Sequence, residues 1–172
     1  IQSPFGSITV NGAIAGSDNA SVTLKGATTL NNNITTADQN IIIDGNLSLG
    51  NNITLNTGTG GAGDINITGT VNGNQNLTLT TGTGNATITG AVGGNQALGE
   101  LRVNSSGVTT FNSTINATSL RTDAGGTTQL NGDVTTTTVG GQYYSDKVTV
   151  VGNISLTGDA IDFEDTVSGT GN

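Results

Sequence analysis

The chain has 172 residues, with four Lys and Arg against twelve Asp and Glu, a net charge of −8, and no His, Cys, Met or Trp. Without His or Cys it carries no conventional Ser-His or Cys-His nucleophile and no imidazole or thiolate metal site. Its cations, Lys25, Arg102, Arg121 and Lys147, are scattered and too few to neutralise a run of phosphates, and no apolar run is long enough to span a bilayer.

Three residue types, 32 Thr, 28 Gly and 22 Asn, fill nearly half the chain. The bias is not that of a disordered segment, because β-branched residues and apolar periodicity persist from end to end. A seven-residue pattern recurs nine times, mostly apolar at its first, third and seventh places and mostly glycine at its fifth. In chain order the copies start at Ile8, Val22, Ile41, Ile65, Ala86, Thr109, Thr128, Val148 and Ile161. Their fifth places are Gly12, Gly26, Gly45, Gly69, Gly90, Ser113, Gly132, Gly152 and Asp165. The steps are therefore 14, 19, 24, 21, 23, 19, 20 and 13 residues, and the six inner ones average 21. Such a period is that of a solenoid, whose units cannot bury an apolar face alone and must stack.

Apolar residues two apart predict strands, since successive side chains point to opposite faces. Ile8 and Val10, Val22 and Leu24, Ile65 and Ile67, and Val148 and Val150 are predicted to face inward, with Thr9, Thr23, Asn66 and Thr149 toward water. Beyond the glycine bend, Ile14, Leu47, Val71, Val92, Ile115, Val134, Ile154 and Val167 form a second inward column, broken only by Thr28. The pairs Ile53 and Leu55, Leu77 and Leu79, and Leu101 and Val103 supply a third wall. Three strands per turn predict an all-β fold, a parallel β-helix (β-solenoid) of about 21 residues per coil and seven to eight coils, roughly 35 Å long at the usual strand spacing. Residues 1–172 read as a single module. The insertions at 58–64 and 140–146 are expected to bulge from corners. Gly and Asn mark those corners because they tolerate positive φ, and stacked Asn are expected to form side-chain ladders.

Carboxylates are the remaining chemistry. Asp159, Asp162, Glu164 and Asp165 form the one dense acidic group and the calcium candidates. As a catalytic pair, Asp162 and Glu164 lack an Arg or Lys near them in sequence, and a solvated acidic edge is the plainer reading. The stretch from Gly60 to Asp64 is one residue short of a calcium-binding nonapeptide and occurs once, whereas that motif works in tandem. Candidate glycosylation sequons start at Asn19, Asn33, Asn46, Asn52, Asn66, Asn76, Asn85, Asn104, Asn112, Asn116 and Asn153, a number that the Asn, Ser and Thr content largely explains. Outward pairs such as Thr78 and Thr80, or Thr87 and Thr89, fit a flat ice-binding array poorly because the steps vary and Asn66 and Gln129 intrude. Phe111 and Phe163 read as core. Tyr143 and Tyr144 read as corner packing, with an exposed contact residue as the alternative.

The run from Asn76 to Gly158, with GAVGG followed by ALGELRV, then TTQLNGDVTTT and GGQYYSDKVTV, resembles the repeat regions of large bacterial exoproteins of the filamentous-haemagglutinin type. The resemblance implies a right-handed parallel β-helix shaft in a long secreted or surface-attached protein with adhesion or biofilm roles. It departs from that family's secretion domain, since the single proline, Pro4, lies outside any Asn-Pro-Asn motif. The expected function is a structural and adhesive extracellular shaft that is not an enzyme and needs no cofactor. Its expected partners are copies of itself, adjacent coils of a longer parent protein, or glycans and cell surfaces. A polysaccharide-binding or polysaccharide-cleaving β-helix protein is the alternative. The opening IQSPFGSITV has no basic region followed by an apolar core, so any signal peptide is expected outside this chain. Neither end shows a cap, which suggests a segment of something longer.

Overall fold

The computed structural model describes residues 1–170, with all side chains except those at positions 4, 5, 138 and 139. Every strand pairing is parallel, and the strands stack as a solenoid of about eight turns. Three walls are joined at three corners. On the first wall Leu24, Ile43, Ile67, Ile88, Phe111, Leu130 and Val150 lie in register, one per turn. The second wall aligns Ile8, Thr28, Leu47, Val71, Val92, Ile115, Val134 and Leu156. On the third wall, Ile14, Ile34, Leu55, Leu79, Val103, Thr122, Tyr144 and Phe163 form the corresponding column. The three columns meet in one continuous core, in which most of the apolar members are fully buried. Each Leu, Ile or Val so covered contributes about 1.5–3 kcal/mol relative to exposure.

The seven inner copies of the pattern share one register: Val22, Ile41, Ile65, Ala86, Thr109, Thr128 and Val148 pair in series. The two outer copies do not. Ile8 pairs with Thr28, on the second wall, and Ile161 with Gln142, on the third, while Val167 takes the place above Val148. The outer steps of 14 and 13 residues are thus not turns, because such a length cannot supply three strands and three corners. The pattern aliases there because alternation of period two is common to all three walls. Ile14 accordingly belongs to the third wall, and Leu156 replaces Ile154 opposite Val134, a two-residue shift that keeps the same face inward.

A second correction concerns residues 140–146. The strand Val134–Tyr144 turns from the second wall onto the third, so Gln142 and Tyr144 point into the core instead of bulging from a corner. The insertion at 58–64 does lie outside the strands, between Ile53–Asn56 and Ile65–Ile67.

Five of the fifth-place glycines, Gly26, Gly45, Gly69, Gly90 and Gly132, are required by the close approach of neighbouring backbone. A Cβ on Gly69 would collide with the carbonyl of Gly45, and one on Gly90 with that of Gly69, whereas one on Gly12 would meet nothing within 4 Å. Asn and Asp side chains stitch the corners. Asn52 Oδ1 accepts from the Asn76 amide at 2.9 Å and Asn76 Oδ1 from the Glu100 amide at 2.7 Å. On another corner Asn40, Asp64 and Asn85 accept from the amides of Asp64, Asn85 and Val108 at 2.8, 2.7 and 2.8 Å. Side-chain amides also meet directly, Asn31 donating to Asn11 and Asn131 to Asn112. The expected ladders are present, and their main form is a side chain holding the backbone of the next turn.

Candidate functional site

Two residues beyond the inward Leu55, Leu79 and Val103, the third wall ends in a buried hydroxyl. Thr57 and Thr81 donate to the carbonyls of Gly63 and Gly84 at 2.7 and 2.8 Å, and Ser105 also reaches Gly84 at 2.9 Å. Two residues beyond Tyr144 the same position holds Asp146, only 2% exposed. Thr122 donates to its Oδ1 at 2.8 Å and Thr128 to its Oδ2 at 2.9 Å. Burial pushes the Asp146 carboxyl above the usual carboxylate range, the two hydroxyls pull against that shift, and Asp123 adds to it. The Tyr144 phenol donates to Gln142 Oε1 at 2.9 Å, and Gln142 Nε2 donates to the Thr157 carbonyl at 3.0 Å. Burial, and secondarily Asp146, raise the Tyr144 pKa. This network ties the last three turns together. Asp146 is enclosed and has no free face for a substrate.

The outer face of the third wall carries both arginines, together with Glu100 and Asp162. Thr54, Thr78, Arg102, Arg121, Tyr143 and Asp162 stand in one outward column. Glu100 sits between the two guanidiniums, at 2.9 Å from Arg102 Nε and 3.1 Å from Arg121 Nε. The Arg121 guanidinium also lies 4.1 Å above the Tyr143 ring. Tyr143 is therefore the outward and Tyr144 the inward member of the pair.

The corner from the third wall to the first is uneven, because its connections differ in length. Residues 57–64 join one pair of strands, whereas only Ser106 and Gly107 join Leu98–Ser105 to Val108–Phe111. A recess of about 470 Å³ opens there, lined by Ser106, Gly107, Val108, Gly125, Gly126, Thr127, Lys147 and Asp165. A second of about 180 Å³ continues past Ser106 to Thr59 and Asp123.

The calcium candidates are not gathered into a cage. Asp162 is outward on the third wall opposite Tyr143, the Glu164 amide donates to the Tyr144 carbonyl at 2.9 Å, Asp165 lines the larger recess, and Asp159 is exposed ahead of Ile161–Phe163. Among the described residues no group of three or more acidic side chains is placed to hold a metal ion. In the stretch resembling a nonapeptide, Asp64 is occupied as a corner acceptor.

Nine of the sequon asparagines are exposed, and Asn66 and Asn104 are half-buried, the Asn66 Oδ1 being enclosed without a partner among the described residues. Asn33, Asn46, Asn52, Asn76 and Asn85 use their oxygens on amides of the next turn. Thr87 shares its outward column with Asn66 and Gln129, so the threonine array is interrupted in register.

The Glu100 clamp and buried Asp146 are absent from the sequence reading. Asp146 was findable: it stands where Thr57, Thr81 and Ser105 stand, once 140–144 is laid on the wall. Comparison with known proteins gives no matching family model, no matching characterised protein and no matching solved structure.

Proposed function

We propose that this chain is a structural and adhesive shaft acting outside a bacterial cell, without catalytic activity. The observation that carries the reading is the contrast between its two surfaces. The inward columns repeat apolar or hydroxyl side chains turn after turn, whereas the outward column through Thr54, Thr78, Arg102, Arg121, Tyr143 and Asp162 repeats no constellation of reactive groups. The fold repeats a scaffold. Its outer walls offer hydroxyl, amide and isolated charged groups suited to many weak contacts. Among the described residues the last strands pair on one side only, with Ile161 and Val167 38% and 49% exposed, a surface that a further coil would cover by strand addition.

The test has two readouts on the purified chain. Electron microscopy at high concentration is expected to show end-to-end rods, and beads coated with the chain are expected to attach to cell or matrix surfaces more than uncoated beads. Single rods together with no added attachment would overturn the reading.

A further inference from the structure

We propose that the corner joining the third wall to the first is a binding trough for an uncharged, linear polysaccharide. The inference rests on the adhesive reading above and gives it a ligand class and a place. The two recesses share Ser106 and run along the rod from Thr59 to Asp165, an elongated shape suited to a polymer. The larger, at about 470 Å³, is of the size that small ligands occupy.

Four observations select the ligand. First, Val108 is 42% exposed in the middle of the rod, whereas the other exposed large apolar residues, Ile1, Val151, Ile161 and Val167, belong to the first and last turns. End effects do not explain Val108, and its surface fits the C–H face of a sugar ring. Second, Val108, Thr127 and Lys147 occupy successive rungs, about 4.8 Å apart, so an apolar patch, a hydroxyl and an ammonium lie in line. Lys147 makes no ion pair among the described residues.

Third, the Asp123 and Asp165 carboxylates are oriented by backbone amides, with Oδ1 accepting from Ser105 at 2.8 Å and from Thr166 at 2.6 Å. Their Oδ2 atoms accept no protein hydrogen bond among the described residues and are available to sugar hydroxyls. One ammonium against two carboxylates, in a chain of net charge −8, disfavours an acidic polymer. Fourth, Val108–Phe111 is already paired on both sides, so the trough offers no strand edge to an extended peptide.

The test uses the whole chain and titration calorimetry with cellohexaose, laminarihexaose, maltohexaose and trigalacturonate. At least one neutral oligomer is expected to bind and trigalacturonate to bind at least tenfold more weakly. Val108→Thr, Lys147→Ala and Asp165→Asn, combined, are expected to weaken binding at least tenfold with an unchanged thermal midpoint. A variant that melts earlier is replaced by Lys147→Ala alone, for which at least a threefold loss is expected. No binding by any neutral oligomer, preference for the acidic one, or binding indifferent to these substitutions overturns the proposal. Lys147 lies on the strand one rung inside the exposed edge that holds Val167, so survival of end-to-end polymerisation in Lys147→Ala separates failure of the trough from failure of the shaft reading.

Discussion

The rings of Tyr144 and Phe163 stack with centroids 5.0 Å apart and planes 10° from parallel, which fastens the last turn to the one before it. In a solenoid each turn touches only its neighbours, so stability is a sum of local terms and the ends are first to open. Phe163→Ala is expected to cost about 2 kcal/mol, below the range for a fully buried Phe because this one is half-buried. The loss should be local. Hydrogen exchange should rise at the Glu164 amide, which donates to the Tyr144 carbonyl, and stay unchanged at Thr89, which donates to Ile67. Equal loss of protection at both would show that the rod unfolds as one unit.

The glycine column makes a contrasting pair of predictions. Gly69→Ala places a Cβ against the Gly45 backbone, which is held by the neighbouring turns and has no room to retreat. A destabilisation of about 1–3 kcal/mol is expected. Gly12→Ala has open space around it and should change stability by less than about 0.5 kcal/mol. Chemical denaturation of the two variants decides the matter, and equal midpoints would remove the steric explanation of the column.

These two glycines also show how far the sequence was legible. Gly12 and Gly69 look equivalent in the pattern, yet only Gly69 lies under a neighbouring turn. Alternation identifies an inward face because side chains must take turns across a strand. It carries no label for which of three walls a strand occupies, so the register of the end copies depended on turn length. The steps of 14 and 13 residues held that information, being too short for three strands. Tyr144 failed for a related reason: GGQYY reads as a glycine-rich corner, while in the fold Tyr144 fills the column of Leu79 and Val103. The trough was not legible, since it arises where corners of unequal length are stacked.

Asn52 represents the corner stitching. Its Oδ1 holds the Asn76 amide of the next turn, and Asn52→Ala is expected to cost about 1 kcal/mol, the net worth of a hydrogen bond whose donor can turn to water. Asn52→Asp keeps the acceptor and should restore most of the loss. If both variants melt together below the parent, the side chain stabilises by something other than this bond.

Asp146 gives the pH prediction. Its folded pKa lies above the unfolded one because burial disfavours the charge, so between the two values the folded state binds more protons. Its contribution is most favourable below the ordinary carboxylate pKa and declines as pH rises toward and through the folded value. Asp146→Asn removes that titration while leaving an amide oxygen to accept from one threonine and an amide group to donate to the other. The variant should flatten the fall in stability with rising pH across the range just above pH 4, and gain on the parent as pH rises. Thermal melts of both proteins at intervals from pH 4 to pH 8 test this. A parent whose stability rises through that window more steeply than the variant's would mean that the two threonine hydroxyls outweigh burial, and that Asp146 is held as a carboxylate by preference.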